Sequence, residues 1–185
     1  MSNSLLSNIS LKKPINGFYN INLICKIQCF RKLSKILEKD LNDLEEPMNY
    51  RDWSSEDVEI DIEITSKNFG QFLPVVSGEL RTQYHLACKN CLRPLKKVIR
   101  LPLTLILCSN SDTENEINGY DLWELSSDEI KVHDLIEEIL ILDVPLYAKH
   151  DEEKNCITYN KPQVSKQRSI VTPFADLRNQ LNKKK

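Results

Sequence analysis

The chain has 185 residues, is 41% hydrophobic and 28% charged, and carries a formal net charge of -2. That length suits one self-sufficient core with extended ends, without disulfide staples. Four glycines and no GxGxxG or GxxxxGK(S/T) segment argue against a phosphate-cradling loop, and no apolar run reaches the roughly 18 residues that suggest a membrane span.

The opening MSNSLLSNISLKKPINGF lacks the ordered regions of a secretory signal. The six cysteines therefore read as cytoplasmic thiols or ligands, and cytoplasmic localisation is expected. The small net charge conceals a division. Residues 1–40 carry seven Lys/Arg against two Asp/Glu, residues 41–160 eleven against twenty-four, and residues 161–185 seven against one. Basic ends around an acidic body imply separate contact surfaces, with phosphate contact expected at the ends.

Residues 1–30 give only weak strand fragments. Over 31–46, Leu33, Ile36, Leu37, Leu41 and Leu44 recur at helical spacing, and Pro47 helps to end the helix. Its acidic residues lie late, at the unfavourable end of the helix dipole. From 56 to 66 the pattern alternates: Val58, Ile60, Ile62 and Ile64 face a core, while Glu59, Asp61 and Glu63 face water. A short second strand, a turn at Ser77-Gly78 and a third strand over Glu79–Ala87 are expected next. KKVIRLPLTLILC gives a further strand, in which Pro102 implies an edge or a bulge. Residues 108–119 read as a polar loop, followed by the short segment YDLWEL. A helix over 133–143 presents Leu135, Ile136, Ile139, Leu140 and Leu142, with Glu137 and Glu138 outward and Pro145 as its stop. The basic tail contains one apolar pair, Phe174 and Leu177.

These elements predict an α+β fold: an antiparallel, curved sheet over about 56–107, covered by one or two helices, with extended polar ends. The expected organisation is an N-terminal arm with an amphipathic helix (1–50), an α+β domain (51–160) and a basic C-terminal tail with a hydrophobic anchor (161–185).

Cys88-Lys-Asn-Cys91 falls at a strand-to-strand turn and has the spacing of half a zinc site. The credible second pair is His150 and Cys156, about sixty residues on. No helical pattern follows the cysteines, which argues against a thioredoxin-type redox pair. Taken by themselves, the residues favour a reduced turn with packed thiols over a metal site. Cys25, Cys29 and Cys108 read as packing residues. No carboxylate, imidazole or nucleophile is singled out, so catalysis is not expected. Lys96, Lys97 and Arg100 flank the cysteine turn, Lys166 and Arg168 precede Phe174, and Lys183, Lys184 and Lys185 close the chain; all are candidate phosphate or partner contacts.

LACKNCLRPL at 86–95, EEILILDVPLYAKHDEEKNC at 137–156 and TPFADLRNQLNKKK at 172–185 resemble, in order and spacing, the YceD family of large ribosomal RNA subunit accumulation proteins. The resemblance runs from about residue 50 to the end. It implies a cytoplasmic, non-catalytic factor supporting synthesis, processing or stability of 23S ribosomal RNA. The implied partners are a large-subunit ribosomal protein, the 23S precursor, or both, with no membrane and no DNA. A role as an adaptor or chaperone-like binder of a basic ribosomal protein is the alternative. Cys88 and Cys91 match the family's first cysteine pair, Cys156 its single later cysteine, and His150 the histidine before it. The chain lacks a second CxxC, so no cofactor is inherited from the family pattern, and zinc would depend on His150 and Cys156.

Overall fold

Strict alternation makes β3 (Asp57–Asn68) a half-buried strand: Val58, Ile60, Ile62 and Ile64 are buried, while Asp57, Glu59, Asp61 and Glu63 are exposed. A computed structural model of the chain describes residues 3–13, 15, 17–42, 44, 52–109, 119–151 and 156. Within these, β2 (Phe18–Lys26) pairs antiparallel with β3, and β3 with β4 (Phe72–Ala87). The long hairpin of β4 and β5 (Pro94–Ser109) runs from Val75↔Ile106 to Ala87↔Pro94 at its tip. A small separate sheet pairs β1 (Asn8–Ser10) with β7 (Glu129–Lys131).

The expected antiparallel, curved sheet is corrected here. The main sheet is open and mixed, in the order β2-β3-β4-β5-β6, because β6 (Asp121–Leu125) runs parallel to β5. A parallel neighbour needs a long crossover rather than a tight turn. Of the segment read as a polar loop, residues 110–118 lie outside the described residues.

A second correction concerns Ser77-Gly78, which is no turn. Both residues lie inside the unbroken β4, opposite Glu63 and Ile62. The reversal between β3 and β4 comes earlier, around Gly70, whose φ is +94°. Gly78 has φ +138°, and a Cβ there would sit 2.2 Å from the Asp61 carbonyl oxygen, so the glycine admits the neighbouring backbone. Pro102 is accommodated because β6 pairs only with residues 105–109 of β5, leaving that side of the strand open at 102.

Two helices cover the inner face of the sheet. Helix α1 (Arg31–Asn42) buries Leu33, Leu37 and Leu41, and α2 (Val132–Leu142) buries Leu135, Ile136, Ile139 and Leu140. All but Leu41 join Ile60, Leu80, Tyr84 and Leu107 of the sheet in one core, while Leu41 packs with Leu44 and Ala87; each fully buried aliphatic side chain contributes about 1.5–3 kcal/mol. Tyr84 is buried without an orphaned hydroxyl, since it donates to the Leu140 carbonyl at 2.9 Å.

The outward placement of Glu137 is also overturned. Its side chain is buried, and Oε1 accepts the backbone N–H of Lys32 at 2.6 Å and of Leu33 at 3.3 Å. Helix α1 has no acidic residue in its first turn, so a carboxylate from α2 satisfies its unpaired amides and faces its positive end. Leu142, assigned to the apolar face, is instead 73% exposed at the end of α2.

Candidate metal centre and the basic groove beside it

The β4–β5 hairpin closes around Cys88-Lys89-Asn90-Cys91-Leu92. Leu92 N–H donates to the Cys88 carbonyl and Cys88 N–H to the Arg93 carbonyl, both at 2.8 Å. Leu92 takes φ +52°, a left-handed conformation that is uncommon for a branched residue and reverses the chain just after the second cysteine. Asp40 of α1 braces this turn: Oδ2 accepts Ala87 N–H at 2.7 Å, and Oδ1 lies 2.6 Å from Lys89 Nζ.

Downstream of α2, the chain returns to the same turn. Lys89 N–H donates to the Ala148 carbonyl at 2.8 Å. His150 Nδ1 lies 3.5 Å from Cys91 Sγ, and Cys156 Sγ lies 3.6 Å from Cys88 Sγ. The ligand atoms of Cys88, Cys91, His150 and Cys156 all lie within 4.8 Å of one another. A tetrahedral ion with metal–sulfur bonds of about 2.3 Å and a metal–nitrogen bond of about 2.0 Å separates its ligands by about 3.5–3.8 Å. The two closest contacts match that spacing and are far too long for a disulfide. The four predicted residues are therefore brought together in an arrangement that can hold a metal ion.

The surrounding contacts fit the same chemistry. His150 Nε2 lies 3.3 Å from the Pro94 carbonyl; protonated there, the ring leaves the Nδ1 lone pair facing the thiols. Asn90 Nδ2 donates to Cys156 Sγ at 3.0 Å. Burial alone would raise the Cys88 thiol, but hydrogen bonds from backbone at Asn90, Cys91 and His150 outweigh it and lower the thiol to about 6. Burial pushes Cys91 up to about 11, and the neighbouring Cys88 and Cys156 add to the rise. Of the CxxC pair, Cys88 is thus the readier thiolate, and a bound metal would supply the charge to hold Cys91 as one too.

A groove of about 620 Å³ adjoins the cluster, between Pro94–Lys97 at the start of β5 and Tyr147–Asp151. Lys96 and Lys97 line it, whereas Arg100 lies farther along β5, opposite Arg81. Lys149 and Tyr147 complete the far wall and were missed by the sequence reading; the only available signal was that Lys149 directly precedes a candidate ligand. Asn90 and Asp40 were missed as well. Asn90 could have been suspected from its place between the cysteines, but Asp40 carries no local mark. Lys166, Arg168, Phe174, Leu177, Lys183, Lys184 and Lys185 lie outside the described residues.

Among the described residues, a second convergence joins His133, Asp134 and Glu137. Two of its members are committed to packing: His133 stacks on Phe30 at 5.0 Å with Nε2 3.1 Å from the Cys29 carbonyl, and Glu137 caps α1, while Asp134 lies 3.2 Å from His133 Nδ1. Cys25 and Cys29 pack against the main core as expected, and Cys108 is fully buried. No described helix is long and apolar enough to cross a membrane.

No curated protein and no solved structure matches the chain. The family model for the large ribosomal RNA subunit accumulation protein YceD matches residues 76–179, a span that contains the hairpin tip, α2 and all four clustered ligands. With more than half of its length matched, and the cysteine turn and its returning segment inside the match, the chain belongs to the YceD family, which supports a general role in biogenesis of the large ribosomal subunit.

Proposed function

We propose that the protein is a non-catalytic factor that supports the synthesis, processing or stability of 23S ribosomal RNA. The observation that carries this reading is the coincidence of the family match with the cysteine–histidine cluster and its lysine-lined border. Cys88, Cys91, His150 and Cys156 would hold a zinc ion in a structural role: four protein ligands leave no open position for substrate. Such an ion would fasten the β4–β5 turn to the segment after α2. The arrangement suits a rigid recognition surface better than an active site.

Depletion of the protein in its native cell, with 23S and 16S ribosomal RNA measured together, tests the function. A selective fall in 23S is expected; an unchanged ratio at normal growth sinks the assignment. Metal analysis of the purified chain should give about one zinc per molecule, lost when Cys88 and Cys91 are both replaced by serine.

A second reading, an adaptor for a basic large-subunit ribosomal protein, draws on the outer face of β3, where Asp57, Glu59, Asp61 and Glu63 are all exposed. RNA recovered with the protein after ribosomal proteins have been stripped away would count against it.

A further inference from the structure

We propose that the groove beside the cysteine–histidine cluster binds single-stranded RNA, with Lys96, Lys97 and Lys149 on its phosphates and Tyr147 stacked against a base. This inference rests on the RNA-directed reading above and names the surface and the form of RNA it would take.

Residues 147–150 alternate between outward and inward positions. Ala148 is buried and His150 half-buried, and both face the cysteine turn: the Ala148 carbonyl receives Lys89 N–H, and His150 sits against Cys91 and Pro94. The residues between them are turned outward. Tyr147 is 63% exposed, and Lys149 is exposed. The same ties that bring His150 to the cluster therefore set a tyrosine ring and an ammonium group along one wall.

The opposite wall is the start of β5. Lys96 and Lys97 are neighbours on a strand, so their side chains leave on opposite faces, yet both border the groove because it wraps around the strand end. Glu56 lies 3.5 Å from Lys96, and Lys97 acts on Asp143, whose carboxyl is raised by burial and partly lowered again by that lysine. Asp151 is the acidic residue among the lining side chains, against three lysines. A zinc ion with three thiolates would add one negative charge nearby; the lining side chains alone then keep a small positive excess, while Glu56 and Asp143 offset part of the charge of Lys96 and Lys97 from behind.

An anionic strand with planar groups is what this combination recognises. Ammonium groups neutralise phosphates, and an exposed aromatic ring offers a face to a base. A base inside a duplex is already stacked and cannot reach Tyr147, which selects single-stranded segments such as loops and unpaired ends. An acidic peptide would satisfy the lysines but leave the ring without a stacking partner.

Fluorescence anisotropy with the full zinc-containing chain and a short fluorescein-labelled oligouridylate tests the proposal, with an RNA duplex and a poly-glutamate peptide as comparison probes. The wild type should prefer the single strand. Replacing Lys96, Lys97 and Lys149 together by alanine should flatten the dependence of log affinity on log salt by about 2, since each phosphate contact on a single strand contributes about 0.7. Tyr147→Ala should weaken binding about tenfold and leave that salt slope unchanged. Zinc content and circular dichroism of both variants must match the wild type, and Lys→Arg replacements, which keep the charge, should restore the slope if an alanine variant misfolds.

The groove assignment falls if the wild type fails to bind the oligouridylate, or if the triple variant binds it within twofold at every salt. Duplex or poly-glutamate bound as tightly as the single strand also overturns it. If depletion lowers 23S RNA and the triple variant restores it fully, the groove is wrong while the ribosomal reading stands. If depletion leaves 23S unchanged, the ribosomal reading fails by itself, whatever the oligonucleotide measurements give.

Discussion

Glu137→Ala removes the carboxylate that α2 lends to the first turn of α1. In the native chain Oε1 accepts Lys32 N–H at 2.6 Å and Leu33 N–H at 3.3 Å, and the side chain is only 3% exposed. A hydrogen bond to a charged group contributes about 1.5–3 kcal/mol, and a buried donor left without a partner costs about 1–3 kcal/mol. The longer bond to Leu33 counts for less, and Lys32 lies toward solvent, where water can replace part of its bond. The expected loss is therefore about 2–3 kcal/mol. Alanine is the better helix former, so intrinsic propensity opposes this loss. Glu137→Gln keeps an acceptor oxygen but removes the charge facing the helix end, and should lose about 1 kcal/mol. For a chain of this size the alanine variant should melt about 5–10 °C lower. Urea unfolding followed by far-UV circular dichroism gives the free energies, with Glu138→Ala as the neighbouring control. An alanine variant within about 0.5 kcal/mol of wild type would refute the capping argument, because that is the range of surface substitutions. A glutamine variant less stable than alanine would show that the charge and acceptor are not what matters there.

Gly78→Ala should cost about 3 kcal/mol or more, measured the same way, since its Cβ would meet the Asp61 carbonyl oxygen at 2.2 Å and φ is +138°; near-neutral behaviour would mean the strands separate easily. Burial alone would raise the Glu56 carboxyl, but hydrogen bonds from His85 and Gln83 and the charge of Lys96 hold it below the ordinary value of 4.5. Its folded value being the lower one, its contribution is present above about pH 4.5 and lost as pH falls through the folded value. Glu56→Gln should therefore flatten the acid limb of the stability profile, and an unaltered limb in equilibrium unfolding across pH would count against the linkage. Removing metal with a chelator should lower the melting temperature and speed hydrogen exchange at the Lys89 amide, which donates to Ala148 across the turn; unchanged exchange would detach that bond from the metal site.

The strand core was legible because β3 alternates without interruption, and a period of two has one structural meaning. Helix α2 was legible from Leu135, Ile136, Ile139 and Leu140 for the same reason at a period of 3.6. What escaped depended on long-range partners. Glu137 was read as solvated because nothing in its own helix asks for a carboxylate; the need arises in α1, about a hundred residues earlier. The late acidic residues of α1 looked misplaced against the dipole, yet Asp40 serves the cysteine turn and Glu137 supplies the missing charge at the other end. Ser77-Gly78 mimicked a turn because glycine marks both reversals and close backbone approaches. The direction of β6 was not legible, because its short sequence carries no mark of which strand it joins or in which sense. At the candidate site, spacing made Cys88, Cys91, His150 and Cys156 candidates while favouring packed thiols over a metal site, since only the packing of α2 across the sheet decides that the two pairs meet. Lys149 and Tyr147 gained their significance from the same encounter.

The two halves of the cysteine–histidine cluster also differ in when they can form. Cys88 and Cys91 sit at the tip of a hairpin whose strands are joined by a short turn, so closing that loop costs little chain entropy and the pair can assemble early in folding. His150 and Cys156 arrive after some sixty further residues have crossed to β6 and packed as α2. A metal ion present during synthesis would meet two thiols first, with water filling its remaining positions, and would be enclosed only when the later segment docks. In the finished protein the reverse path is the easier one. If the cluster holds an ion, release of Ala148 and His150 from the turn would open it to exchange while the β4–β5 ladder stays intact, so the rate of metal loss should follow that local opening rather than global unfolding.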